Sequence, residues 1–284
     1  MAATRAIEGL REVADLFDVA VLDQWGVLHD GARSYPSAPP ALRHLHENGK
    51  RIVVLSNSGK RSELNLRRIA SHGLPVENIE IVMTSGEALR RDVEAGELQP
   101  FARPFVLAGA EGDFGAWSDG LAIETAASVE EADSLLLMGL PEGAALSGYD
   151  PLLEAALERG LVLVCSNPDR GSPRPGGAVA LQPGAVAAAY EQRGGTVAWY
   201  GKPYGPIFEA VERFCGVRRD RLLMIGDSPE HDIAGGARAG WRTCLVRGGL
   251  HARVLRPGTD AQVERLCAQH DAPLPDFHLD TLAW

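Results

Sequence analysis

Four side chains able to do chemistry each follow a short apolar run: Asp23 after residues 19–22, Ser56 after 51–55, Lys202 after 196–200 and Asp227 after 222–225. Runs this short, not alternating and rich in β-branched residues, read as strands buried on both faces of a parallel sheet. The carboxyl ends of such strands share one rim, and ligands of open α/β sheets bind there. A carboxylate placed on that rim is costly unless a cation meets it. Asp23 and Asp227 would repel each other at close range and raise a pKa unless a cation lies between them. A hard divalent ion, most simply Mg²⁺, suits both acids. The Ser56 hydroxyl and the Lys202 ammonium suit phosphoryl oxygens, whose transfer asks for positioning and charge neutralisation. Singly, each residue has a plainer reading as a turn aspartate, a helix N-cap or a solvated lysine. Taken in order, the four point to one site.

The intervening segments have to hold these residues in place. Apolar spacing predicts helices over 7–17, from the 35–40 turn to Asn48, over 64–71 and over 87–94, with a further strand over 79–83. This β-α-β-α-β alternation predicts a parallel sheet with right-handed crossovers. Around 96–103 the texture changes, and a second alternation begins: strands over 105–107, 134–140 and 161–166, helices over 149–159 and 184–192. Residues 196–200, 222–225 and 243–246 read as returning strands of the first domain, with helices over 206–214 and 233–239. The chain is therefore read as a doubly wound α/β core, residues 1–98 and 196–284, with a second α/β domain, residues 99–195, inserted into it.

Composition sets the outer bounds. The 284 residues suffice for two cores, and 45% apolar with 23% charged content is that of a soluble globular chain. A formal charge of −10 argues against nucleic acid or an anionic membrane as main partner. Cys165, Cys215, Cys244 and Cys267 are scattered without metal-ligand spacing, which suits reduced thiols of a cytoplasmic protein. There is no secretory signal pattern at the N-terminus and no bilayer-length apolar run.

The four motifs resemble those of the haloacid dehalogenase (HAD) superfamily. The first is Asp23-Gln24-Trp25-Gly26, the second Ser56-Asn57, the third Gly201-Lys202-Pro203 and the fourth Gly226-Asp227 through Asp232. The Gly-Lys-Pro spelling, the insertion between the second and third motifs, and Gly235, Ala237 and Gly240 after the fourth are similar to subclass IIA. That subclass holds the NagD-like and 4-nitrophenylphosphatase-type phosphatases of sugars and small metabolites. The resemblance implies a HAD Rossmann-like core with a C2-type cap, acting on a small phosphorylated metabolite. Asp23 would be the nucleophile, forming an aspartyl-phosphate. Mg²⁺ would be held by Asp23, the carbonyl of Trp25 and Asp227, with Asp232 ordering its waters. Ser56, Asn57 and Lys202, along with the Trp25-Gly26 loop, would hold the phosphoryl group. Caps of this subclass take part in dimer contacts, so a homodimer is also implied.

One residue departs from the pattern. Family phosphatases place a second Asp two residues after the nucleophile, as general acid and then base, and here that position is Trp25. Indole neither donates to a leaving alkoxide nor takes a proton from water. Losing such a catalyst forfeits ~10²–10⁴-fold in rate, most for alcohol leaving groups and least for aryl or acyl phosphates. Three readings stay open, in this order. The first is a phosphatase that favours good leaving groups or borrows a base, with His29, Glu230 and His231 nearby in sequence. The second is a phospho-ligand-binding homologue, weak or inactive as a catalyst, serving as a sensor or interaction partner. The third is dehalogenase-type hydrolysis, which the retained Asp227 and Asp232 disfavour. In the insertion, the 167–170 loop is the candidate for substrate contact through Asn167 and Asp169, with Arg170 and Arg174 available to an anionic tail.

Overall fold

The apolar runs become strands and the segments between them helices in the computed structural model, which describes residues 4–109, 113–173, 179–255 and 258–284. The chain opens with β1 (Arg5–Ala6), a 3-10 segment over Leu10–Leu16, β2 (Val19–Asp23), α1 (Ala38–Glu47), β3 (Arg51–Ser56), α2 (Ser62–Ser71), β4 (Ile81–Thr84) and α3 (Ser85–Glu94). It continues with β5 (Pro104–Leu107), α4 (Asp113–Ser118), β6 (Ser134–Leu137), α5 (Asp150–Glu158), β7 (Val162–Cys165), β8 (Gly171–Pro173), β9 (Val179–Leu181), α6 (Pro183–Gln192) and β10 (Val197–Trp199). It ends with α7 (Gly205–Cys215), β11 (Leu222–Gly226), α8 (Ala234–Arg238), β12 (Arg242–Val246), α9 (Asp260–Gln269) and β13 (Phe277–Leu279). Two compact units result. One comprises Met1–Ser56, Ser62–Met83 and Lys202–Trp284; the other comprises Asn57–Arg61 and Thr84–Gly201. The second unit thus takes in residues 57–61, 84–98 and 196–201 beside the 99–195 insertion read from the sequence.

The first unit carries a seven-stranded sheet in the order β1-β13-β12-β11-β2-β3-β4. β2 lies between β11 and β3 and runs parallel to both, with Leu22 opposite Ile225 and Asp23 opposite Leu55. That register sets Asp23, Ser56 and Gly226 along one rim. Residues 19–22 are all fully buried, as a central parallel strand requires. Successive side chains point to opposite faces. Ala20, Leu22, Ile52, Val54, Leu223 and Ile225 join Leu42 and Leu45 of α1 in one core. On the other face, Gly236 of α8 lies against Met224, so helices cover both sides. The doubly wound expectation holds.

The second unit carries a four-stranded sheet in the order β10-β7-β6-β5, all its pairs parallel, and an antiparallel β8–β9 hairpin. Its core is built on Leu135, Leu137, Leu163, Cys165, Val186 and Tyr190. The expectation for residues 196–200 is corrected here: β10 is an edge strand of this sheet, Val197 pairing with Leu163, not a strand of the first. Three half-buried residues carry no pattern that distinguishes one sheet from another. The 7–17 helix is also corrected. Residues 5–6 pair with β13, and the helical turns after Gly9 are of the tighter 3-10 kind.

Candidate active site

β2 delivers Asp23 to the rim, and the residues from two other segments meet it there. Lys202, 3% exposed, donates from Nζ to Asp23 Oδ1 at 2.5 Å and to Asp232 Oδ1 at 2.7 Å. Asp227 follows β11 directly, and oxygens of Asp23, Asp227 and Asp232 all lie within 4.8 Å of one another. Asp232 sits on a π-helical turn over Pro229–Ile233, a widened turn often found at functional sites. Its second oxygen accepts the Ser228 N–H at 3.0 Å. The Leu250 N–H donates to Asp227 Oδ2 at 2.6 Å. Two glycines make room for Asp227: a Cβ on Gly26 (φ +88°) or on Gly249 would overlap its carboxylate.

These contacts make a charge-dense, water-poor centre. Burial pushes Asp23 up to about 7; Lys202 pulls against that shift and Asp232 adds to it. Asp227 is raised well above the usual carboxylate range by burial, then by the charges of Asp23 and Asp232. Burial works against the Lys202 charge, yet the two carboxylates beside it outweigh that and raise its pKa. When all three carboxyls are ionised they exceed the one ammonium by two negative charges. With oxygen donors only and that surplus, the set fits a hard divalent cation.

The loop after β2 is organised on His29, which is 1% exposed. The Gly31 N–H donates to its Nδ1 at 3.0 Å, the Gln24 side-chain amide lies 3.1 Å from its Nε2, and the His72 ring packs 4.6 Å away. Burial, with the charges of His72 and Arg68, lowers its pKa to about 4. The Gly26 N–H donates to the His29 carbonyl at 2.8 Å, which turns Gly26 toward Asp227. Trp25 stays 40% exposed, and its indole Nε1 would lie 2.9 Å from a Cβ placed on Gly31 (φ +94°).

The structure brings Asp23, Lys202, Asp227 and Asp232 together, and places Ser56 on the same rim at the end of β3. Asn57, Asn167 and Asp169 form a separate group within the second unit. There Asn57 Nδ2 donates to Asp169 Oδ1 at 2.8 Å, and the Asp169 N–H donates to Asn167 Oδ1 at 3.0 Å. Arg170 is exposed, and Arg174 lies outside the described residues. Glu230 is exposed, and His231 Nδ1 lies 3.2 Å from the Ser228 hydroxyl. Reasoning on side chains missed the backbone donors of Ser228 and Leu250 and the close approach of Gly249. Their one sequence signal is the Gly248-Gly249 pair after the last apolar run.

Fold and donor set define a parallel α/β domain with three clustered carboxylates beside a buried lysine at one sheet rim. Haloacid dehalogenase-like hydrolase models match residues 20–113 and 85–240, and a HAD-hydrolase-like model matches residues 199–282. Chronophin of Bos taurus is 31% identical over 96% of this chain and 94% of its own length. Glycerol-3-phosphate phosphatase of Homo sapiens is 29% identical, over 94% of this chain and 89% of its own. Among solved structures, the p-nitrophenyl phosphatase from Archaeoglobus fulgidus superposes with a TM-score of 0.73 at 25% identity, over 93% of this chain and 96% of that one. The chain belongs to the haloacid dehalogenase-like hydrolases, and its neighbours are those of subclass IIA.

Proposed function

We propose that the protein is a Mg²⁺-dependent phosphatase of a small phosphorylated metabolite, working through an aspartyl-phosphate on Asp23. The observation that carries this reading is the Lys202 bridge between Asp23 and Asp232, with Asp227 in the same cluster. An ammonium held on the Asp23 oxygen orients that carboxylate and offsets the charge of an arriving phosphoryl group. Ser56, at the end of β3, supplies a hydroxyl to the phosphoryl oxygens, and Asn57 and the Gly26 loop add donors. Asp23, Asp227 and the carbonyl of Trp25 would hold the metal, with Asp232 ordering its waters. When bound, the ion supplies Lewis-acid neutralisation of phosphoryl charge. Similarity over nearly the full length to relatives named as phosphatases supports the reaction class. Asn167 and Asp169 are assigned to substrate recognition, and residues 99–195 to the cap.

Trp25 favours a second reading, a homologue that binds a phosphorylated ligand without useful turnover. One experiment separates the two: release of phosphate from p-nitrophenyl phosphate and acetyl phosphate with Mg²⁺, comparing wild type with Asp23→Asn. The phosphatase reading expects release that Asp23→Asn abolishes and EDTA suppresses. Release no faster than from Asp23→Asn, with a Tm still raised by Mg²⁺ and a phosphate analogue, would leave only the binding role. The described residues include no helix long and apolar enough to cross a membrane. The four cysteines are all buried thiols, which fits the proposed cytoplasmic setting.

A further inference from the structure

We propose that Arg247 is a positioning residue for Asp227. By fastening the loop after β12 it holds the Leu250 N–H on that carboxylate, and so sets how tightly the acid cluster takes a divalent cation. This rests on the reading of Asp23, Asp227 and Asp232 as a cation centre. The Leu250 N–H fixes Asp227 through Oδ2 at 2.6 Å. A charge-assisted bond of this kind orients a carboxylate only while its donor stays in place. The Leu250 side chain is half exposed, so its burial does little to anchor that donor. Gly249 lies so close to the same carboxylate that a Cβ would overlap it. The placing of residues 249–250 therefore depends on how the rest of the loop is held.

Arg247 stands where the chain leaves the sheet. Its N–H donates to the Leu279 carbonyl at 2.9 Å and the Gly248 N–H to the Asp280 carbonyl at 2.8 Å, so the first foot of the loop follows β13. At the second foot, Thr259 and Gln262 form a capping box that starts α9, and the Gly258 N–H donates to Gln262 Oε1 at 3.0 Å. These bonds fix each foot by itself. The Arg247 guanidinium joins them: Nη1 donates to the Gly258 carbonyl, and Nη2 pairs with Asp280 Oδ1 at 2.9 Å. Gly258, at φ +77°, leaves the space, since a Cβ there would overlap the guanidinium. Between the feet the Ala252 N–H donates to the Gly249 carbonyl at 3.1 Å, and the Val254 and Leu255 N–H groups to that of His251 at 2.9 and 3.0 Å. Leu255 is buried in one cluster with Val263 and Leu266 of α9. The donor to Asp227 thus belongs to a turned segment whose two ends share one arginine. Tying the ends of a loop removes conformational freedom from the residues between them. A planar fork can hold a carbonyl and a carboxylate at once, which a single ammonium does less well.

Calorimetric titration of the full chain with Mg²⁺ at pH 8 tests this, together with amide hydrogen exchange followed by mass spectrometry. Arg247→Met keeps an unbranched stem and removes the guanidinium. It should raise the Mg²⁺ Kd about 10-fold, the scale of losing a group that supports a metal-binding carboxylate. It should also speed exchange over residues 248–255 while β2 and β11 stay protected. Lys50→Met is the control for stability alone. Lys50 Nζ donates to the carbonyls of Ala14 and Phe17, so its loss should lower the Tm and leave the Mg²⁺ Kd unchanged. Asp280→Ala removes one anchor at an exposed side chain and should move the Kd and the loop exchange in the same direction, by less. An unchanged Kd in Arg247→Met, or a rise that Lys50→Met matches at equal loss of Tm, would overturn the inference and leave the cation centre standing. If Arg247→Met fails to fold, Asp280→Ala decides, and an unchanged Kd there overturns the inference. Wild type that takes up no Mg²⁺ would instead remove the cation centre, and this inference with it.

Discussion

Lys202 is the residue on which the centre depends most. It is buried, and it neutralises two carboxylates that would otherwise face each other and Asp227 in a water-poor rim. Removing one partner from a buried ion pair typically costs about 3–5 kcal/mol, because the other charges remain without compensation. Lys202→Met should therefore lower the Tm sharply at pH 8 in EDTA. The loss should be smaller at pH 6, where the freed carboxyls can take protons. An equal loss at both pH values would mean that the lysine acts by packing alone. Gly26 makes the complementary case for space. Its φ of +88° and the collision of a Cβ with Asp227 act together, so Gly26→Ala must displace either the loop or the carboxylate. We expect Gly26→Ala to cost about 1–3 kcal/mol of stability and to abolish the Tm gain given by Mg²⁺. A variant that keeps this gain would show that Asp227 has room the structure does not indicate.

At the scale of elements, the loop after β2 behaves as one folded piece because His29 fills its centre. The sign of its pH response follows from burial. With its folded pKa lowered to about 4, the His29 ring refuses a proton that the unfolded chain accepts below about 6.5. Its contribution to stability is present above that value and is lost as pH falls toward 4. Asp23 works in the opposite sense. Its raised folded pKa means that acid relieves charge burial between about 7 and the ordinary carboxylate range. The total curve in EDTA is thus a contest, and a comparison isolates the histidine. The Tm advantage of wild type over His29→Gln should shrink between pH 7 and pH 4.5. A constant difference would place the proton elsewhere. The same scale explains what was legible beforehand. β2, β3 and β11 announce themselves because central parallel strands must be apolar on both faces, and Asp23, Ser56 and Asp227 stand out by ending them. β1 and β13 were not legible: one is two exposed residues, and the other is three residues with a buried His278 at its middle. β10 was legible as a strand but not as a member of the second sheet. Backbone donors such as Ser228 and Leu250 leave no mark in side-chain chemistry, so the support beneath the acids had to be seen.

At the scale of the whole molecule, the acid cluster couples local charge to global stability. Any ion that binds the folded chain and not the unfolded one stabilises it by RT ln(1 + [L]/Kd). The clustering of these acids around one lysine is a feature of the fold alone, since Asp23 lies 179 residues from Lys202 in sequence and 204 (227 − 23) from Asp227. Mg²⁺ should therefore raise the Tm in proportion to the logarithm of its concentration once the site is filled. Asp227→Asn should remove that response while keeping the fold, because an amide has nearly the same shape and its oxygen can still accept the Leu250 N–H. Metal must also displace protons from carboxyls whose pKa values are raised, so the Tm gain should weaken as pH falls below about 7. A Mg²⁺ shift that survives in Asp227→Asn, or that does not change between pH 8 and pH 6, would mean that the ion binds away from these three acids. The assignment of the rim as a cation centre would then fail, with the fold and the family standing unchanged.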